Sequence, residues 1–237
     1  MAHSPVKRHE IFPVGSPVYM DYNATTPVDP RVSAAIYPHL TTLWGNPSSA
    51  HQFGFAPKLS VDRSRMQIAR LIQAQKNDHV IFTSGGTESA NWAIWGTVEA
   101  AHQRANSINK DNVLPHVITS AVEHPCVINM CKHLATTHRC SLTIVPVDLE
   151  GRVSVEDVVS SLRPETCLIT IMHANNEVGT VQPIEDIARA LKENVPPGLG
   201  PLFHTDASQS VGKIPVDVNV LGVDLLTIAG HKLYAPK

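Results

Sequence analysis

The stretch Leu168-Ile169-Thr170-Ile171-Met172-His173-Ala174-Asn175-Asn176-Glu177 decides the fold, because an unbroken apolar and β-branched run passes directly into a polar cluster. A short run without alternation reads as a strand buried on both faces. The signature recurs on either side of it. Val117-Ile118-Thr119 leads into Ser120-Ala121-Val122-Glu123-His124, and Leu202-Phe203-His204-Thr205 leads into Asp206-Ala207-Ser208-Gln209-Ser210. Leu225-Leu226-Thr227-Ile228 leads into Ala229-Gly230-His231-Lys232, and Leu142-Thr143-Ile144-Val145 is a further run. His79-Val80-Ile81-Phe82-Thr83 reads the same way before Ser84-Gly85-Gly86-Thr87-Glu88-Ser89. Helical segments alternate with these strands. Residues 58–73 place Leu59, Met66, Ile68 and Leu71 on one stripe, and a second helix starts near Thr87 and carries Trp92, Ile94 and Trp95. Two more are predicted over about 126–136 and about 184–193. The fold class is therefore α/β, a mostly parallel sheet with helices on both faces. Ligands of such sheets sit outside the carboxyl ends of the strands, which is where all five polar clusters fall.

Composition narrows the function. The chain has 237 residues, 43% hydrophobic and 17% charged, which excludes a disordered chain or a coiled coil. Nineteen basic against twenty-one acidic residues leave a net charge of −2, which argues against a partner held by bulk charge, whether nucleic acid or membrane surface. No stretch approaches the roughly 18–20 apolar residues of a membrane helix, and the first eighteen residues lack an apolar signal-peptide core. Cys126, Cys131, Cys140 and Cys167 do not make a disulfide framework, so the chain reads as cytoplasmic, a mitochondrial location being also compatible. Residues 1–17 read as a tail and 18–237 as one domain, with surface linkers at 103–115 and 194–201.

Each polar cluster has a chemical and a plain structural reading. Gly85-Gly86-Thr87 at the start of a helix can offer N–H groups and a hydroxyl to an anion, or simply be a capped helix with Glu88 in its first turn. No Walker loop or dinucleotide fingerprint is present. Asp206, at a strand end, can pair with a protonated ring nitrogen, and Gln209 nearby can bond a phenolic oxygen; the alternative for Asp206 is a helix cap. Lys232 closes an apolar run that predicts burial, where a neutral amine can form a Schiff base, whereas most lysines are solvated. His124 can stack on an aromatic cofactor and exchange protons, or be a surface histidine. Asn176 can bond a ligand oxygen, or belong to a turn. The Cys and His residues between 126 and 140 have no standard zinc spacing, and no GxSxG elbow exists, so no metal and no hydrolase triad is expected.

Taken together the clusters resemble the class V branch of the fold-type I pyridoxal-phosphate enzymes, and within it the cysteine desulfurase/selenocysteine lyase family. The matching strings run in family order from Tyr19-Met20-Asp21-Tyr22-Asn23-Ala24-Thr25-Thr26-Pro27 and Gly45-Asn46-Pro47-Ser48-Ser49, through the clusters above, to Gly230-His231-Lys232-Leu233-Tyr234. The resemblance implies a PLP-dependent transferase-like large domain binding pyridoxal 5'-phosphate. Lys232 would hold the cofactor covalently, Asp206 would pair with its ring nitrogen, Gln209 would bond its phenolic oxygen, and His124 would lie over its ring. Gly86, Thr87 and His231 would hold the phosphate, and Asn176 would face the ring and the substrate carboxylate. The implied catalytic residues are Lys232, His124 and Asp206.

The implied activity is removal of sulfur from L-cysteine, giving L-alanine and a persulfide, with removal of selenium from L-selenocysteine as the alternative. The implied partners are an amino-acid substrate, a sulfur or selenium acceptor protein and a second copy of the chain. Two departures stand out. Many relatives carry Ser two residues before the motif histidine, where this chain has Ala229; a missing phosphate hydrogen bond would cost about 1–3 kcal/mol if nothing replaced it. The family also continues well past its lysine motif, into a small domain with the sulfur-accepting cysteine and a carboxylate-binding arginine. The chain ends at Lys237, so it is expected to be an incomplete large domain, and none of its four cysteines matches the acceptor position. An inactive family member and a nucleotide-binding α/β domain are the competing readings.

Overall fold

The computed structural model describes residues 17–75, 79–107, 113–196, 198 and 200–237. Most of the tail and the middle of the 103–115 linker lie outside the described residues, as do residues 197 and 199 of the 194–201 linker. Five strands form one parallel sheet in the order β2-β1-β3-β4-β5: β1 (His116–Ser120), β2 (Ser141–Val145), β3 (Thr166–Thr170), β4 (Leu202–Asp206) and β5 (Leu225–Thr227). The helices are α1 (Pro30–Thr41), α2 (Gln52–Leu71), α3 (Gly86–Ser107), α4 (Pro125–Thr136), α5 (Val155–Ser160), α6 (Ile184–Asn194) and α7 (Val218–Leu221). Among the described residues no helix is long and apolar enough to cross a membrane.

Successive residues of the central strands feed opposite cores. Val117 and Leu168 pack with Ala90, Ile94 and Val98 of α3 and Val127, Cys131 and Leu134 of α4. Ile118, Ile169 and Phe203 pack with Val158 of α5 and Ile184, Ile187 and Leu191 of α6. This is the period-two side-chain rule applied to strands covered on both faces. Polar residues inside the sheet are matched across strands. The His204 ring lies between the Thr170 and Thr227 hydroxyls at 2.8 and 2.9 Å, and the His116 ring between Thr166 and Thr143, both at 2.8 Å. Burial pushes both rings down to about 4, so they are neutral struts of the sheet.

Two expectations fail. Residues 79–83 form no strand: they run irregularly, and no strand among the described residues pairs with them. Ile81 and Phe82 are consequently exposed, and Phe82 lines a cleft of about 1440 Å³ whose other side includes Leu225 and Leu226 of β5. The stripe on α2 also does not face the core. Leu59, Met66 and Leu71 are exposed and Ile68 is half-buried, while the helix buries Gly54, Pro57 and Ala69. Periodicity reports an apolar face but not which neighbour meets it, and small residues give the close approach here.

Gly222 ends α7 in the left-handed region at φ 66°, and a Cβ built there would stand 2.8 Å from Cβ of Ala188 in α6. Both the backbone conformation and the contact oppose a side chain. Gly222→Ala is expected to cost about 1–3 kcal/mol. A urea unfolding midpoint unchanged by the substitution would contradict this account.

Candidate functional site

The loops leaving the carboxyl ends of β1, β3, β4 and β5 converge with the start of α3 around a cavity of about 510 Å³. Because β2 and β3 flank β1 on opposite sides, the chain reverses direction across the sheet there, and the His124 and Asn176 loops bracket that crevice. The lining includes Gly86, Thr87, His124, Asn176, Asp206, His231 and Lys232, so the structure brings seven of the eight expected residues together. Gln209 is buried outside the lining, where its Nε2 donates to the Asn23 carbonyl at 2.8 Å and its Oε1 accepts from Lys213 Nζ at 2.7 Å.

Each residue is positioned by local chemistry. Glu88 Oε2 accepts the Ser84 N–H at 2.6 Å, which pulls its carboxyl below the usual range. The first N–H groups of a helix have no partner within it, so those of Gly86 and Thr87 border the cavity as donors. Glu88 thus caps the helix start, and the Gly86 and Thr87 residues that an anion would need stand at the cavity. Asp206 closes β4 and is buried, and its Oδ1 accepts the Ser208 N–H at 3.0 Å. Asn175 and Asn176 divide the labour of their loop. Asn175 builds the turn, accepting the Glu177 and Val178 N–H groups at 2.9 and 3.0 Å and donating to the Val122 carbonyl at 3.0 Å, while Asn176 lines the cavity.

Lys232 ends a 3-10 turn at Gly230–Lys232. The burial expected from its apolar approach stops one step short: Ala229 is buried, whereas Lys232 is half-buried among polar groups that include Asp206 and His124. The turn swings the lysine out of the sheet and into the cavity. The N-terminal segment holds this turn in place. Thr26 donates its N–H and its hydroxyl to the His231 carbonyl at 2.9 and 2.8 Å, and Asp29 N–H donates to the Tyr234 carbonyl at 2.9 Å. His231 Nδ1 lies 3.0 Å from the Thr25 hydroxyl, and burial, followed by the charges of Lys232 and Lys237, lowers its proton affinity.

Periodicity overlooked four contributors. Asp21 and Asn23 enter the lining from a segment without regular structure, which no strand or helix pattern marks. Cys126 lines the cavity although it was expected only to sit on a helix. Ser208 lines it too, and a Cβ built on Gly86 would lie 3.4 Å from Ala229 Cβ and 3.6 Å from Ser208 Oγ. A hydroxyl therefore stands beside Ala229, where the chain lacks the serine of many relatives.

Behind the lining lies a second carboxyl. Glu123 is buried, its Oε1 accepting the Ser120 hydroxyl at 2.6 Å and the Met172 N–H at 2.9 Å, while Oε2 has no partner among the described residues. Burial pushes its carboxyl up to about 8, against the pull of those two bonds, and the Asp206 charge adds to the rise. Among the described residues no three His, Cys, Asp or Glu side chains are grouped to hold a metal ion.

Residues 18–237 match the aminotransferase class-V family. The chain is 44% identical over 229 residues to a selenocysteine lyase of Xenopus tropicalis, covering 93% of this chain and 53% of the relative. It is 46% identical over 220 residues to the cysteine desulfurase IscS of Dictyoglomus turgidum, covering 93% of this chain and 52% of the relative. A solved structure of SspA in complex with cysteine superposes with a TM-score of 0.82 at 38% identity, over 92% of this chain and 58% of that one. The chain spans about half the length of the curated relatives it matches. With its parallel sheet, its rim of loops and the match across nearly its whole length, the chain belongs to the aminotransferase class-V family.

Proposed function

We propose that this chain builds the cofactor site of a pyridoxal-phosphate enzyme that removes sulfur from L-cysteine, leaving L-alanine and a persulfide. The observation that carries the reading is the meeting of Lys232, Asp206 and the α3 N-terminus in one cavity. The donor set fits the group: an amine for an aldehyde, a buried carboxylate for a protonated ring nitrogen, and helix N–H groups with hydroxyls for a phosphate. When bound, the cofactor supplies an electron sink for bond breaking at Cα of an amino acid.

Lys232 would hold the group covalently and, once the substrate amine takes its place, would move the Cα proton on its freed amine. Asp206, with Oδ1 steadied by Ser208, keeps its other oxygen for the ring N–H. Gly86, Thr87, Ser208 and His231 hold the phosphate, Ser208 replacing the hydroxyl that Ala229 lacks. Asn176 would orient the substrate, and His124 would face the cofactor ring from the same lining. Gln209 acts from behind the cavity, its amide oriented by Lys213 and Asn23. The sulfur acceptor is a thiolate outside these 237 residues. Burial pushes Cys126 and Cys140 up to about 11, and Cys131 and Cys167 up to about 12, so at neutral pH these thiols stay protonated.

Selenium removal from L-selenocysteine is the second reading, favoured by the 44% identity to a selenocysteine lyase. The partners implied are an acceptor protein for the released element and a second copy of the chain. The test is an absorbance titration of the purified chain with pyridoxal phosphate, expected to give a visible band that borohydride removes; no band at saturating cofactor overturns the reading. Asp206→Asn is expected to weaken cofactor binding roughly ten- to hundredfold, the worth of one charge-assisted hydrogen bond. Binding of wild-type strength in this variant would remove Asp206 from the site.

A further inference from the structure

His124 begins α4 with its side chain turned onto the helix start, and two groups of one residue meet the same ring nitrogen. The Cys126 backbone N–H donates to Nδ1 at 3.2 Å, and the Cys126 Sγ lies 3.0 Å from that nitrogen. A backbone N–H can only donate, so Nδ1 carries no proton and accepts. The role left to the thiol at this nitrogen is that of a donor, S–H to Nδ1, sharing the single lone pair with the backbone N–H. Burial, followed by the neighbouring Asp206 and Glu123 carboxyls, keeps that thiol protonated and able to donate. In the neutral ring the single proton consequently sits on Nε2, which no described residue bonds.

We propose that Cys126 is a positioning residue that holds His124 as the Nε2–H tautomer, so that the ring offers the cavity a hydrogen-bond donor and no base. To take a second proton at Nδ1 the ring would have to release both donors and uncap α4. A group recognised by this ring is therefore an acceptor, and on the proposed reading of the cavity it is the carboxylate or the sulfur of a bound amino acid. His124 donates a hydrogen bond from Nε2 without transferring the proton, and removal of the Cα proton falls to Lys232, the amine that lines the same cavity. The thiol's part is to hold this division of roles. Its partly buried place at the cavity edge, between His124 and the α4 backbone, suits it for that.

The experiment is long-range proton–nitrogen correlation NMR on the whole chain labelled with 15N-histidine, without cofactor. The His124 signals are those lost in His124→Gln. Wild type is expected to show an unprotonated Nδ1 and a protonated Nε2. In Cys126→Ala the Nδ1 resonance shifts downfield as one of its two donors is lost, and in Cys126→Ser, which keeps a hydroxyl donor, most of the shift is reversed. A protonated Nδ1 in wild type, or a resonance that ignores both substitutions, overturns the assignment. The same samples are then titrated with pyridoxal phosphate. Failure of wild type to take up the cofactor would sink the reading of the cavity, while the tautomer would stand or fall on the NMR alone.

Discussion

Lys232→Ala is expected to abolish the pyridoxyl label that borohydride fixes on the wild-type chain incubated with pyridoxal phosphate. Lys232 is the lysine lining the 510 Å³ cavity, and it shares that lining with the carboxylate and the helix start that would hold the rest of the cofactor. Lys213 is the nearest rival, but its Nζ is held by Gln209 Oε1 at 2.7 Å behind the cavity. Lys237 lines the larger cleft and not this cavity. Neither stands beside Asp206 in the lining, so neither can inherit the covalent bond with the ring nitrogen still paired. Peptide mapping after reduction is the measurement. Label on Lys232 in wild type and none above background in the variant is the expected pair of results. Label retained in Lys232→Ala, at Lys213 or Lys237, would overturn the assignment.

How much of this could be read from the amino acids depended on where the signal was local. The five paired strands and α4 and α6 declare themselves, because continuous apolar runs and helical spacing are properties of a single segment. Convergence of the loops follows from the parallel order alone. What escaped were features decided by distant neighbours. Ile81 and Phe82 have the composition of a strand, yet a strand exists only where a partner hydrogen-bonds it. The α2 stripe has the spacing of a buried face, but the contact went to Gly54, Pro57 and Ala69. In the site, the family resemblance supplied roles that pattern left open between ligand binding and mere capping. The geometry added what neither gave: the separate duties of Asn175 and Asn176, and Ser208 beside Ala229. Cys126 at the cavity could not be foreseen because its place depends on how the His124 side chain caps α4.

Glu123 should make the fold less stable as pH rises from 6.5 to 8, and Glu123→Gln should remove that slope. The sign follows from proton binding. Glu123 titrates at about 8 in the fold against an ordinary 4.5, so between those values the folded chain keeps a proton that the unfolded chain has released. Stability therefore falls across the window as pH rises, and levels off above it. His116 and His204 act in the opposite sense: each is lowered to about 4 from 6.5, so they add stability mainly as pH rises from 4 to 6.5 and only a few tenths of a kcal/mol each beyond. His173 is also lowered by burial, with the same sign. The histidines are common to wild type and Glu123→Gln, so the difference between the two chains isolates Glu123, whose expected cost from 6.5 to 8 is about 2 kcal/mol. Between those two pH values the urea midpoint of wild type should fall relative to that of Glu123→Gln, whose side chain keeps an oxygen for the Ser120 hydroxyl and the Met172 N–H. A wild-type midpoint that changes with pH in parallel with the variant's would show that Glu123 is ionised in the fold. That result would also reach the site. A neutral Glu123 leaves Asp206 as the one buried carboxylate charge beside the cavity, whereas two ionised carboxyls there would repel each other.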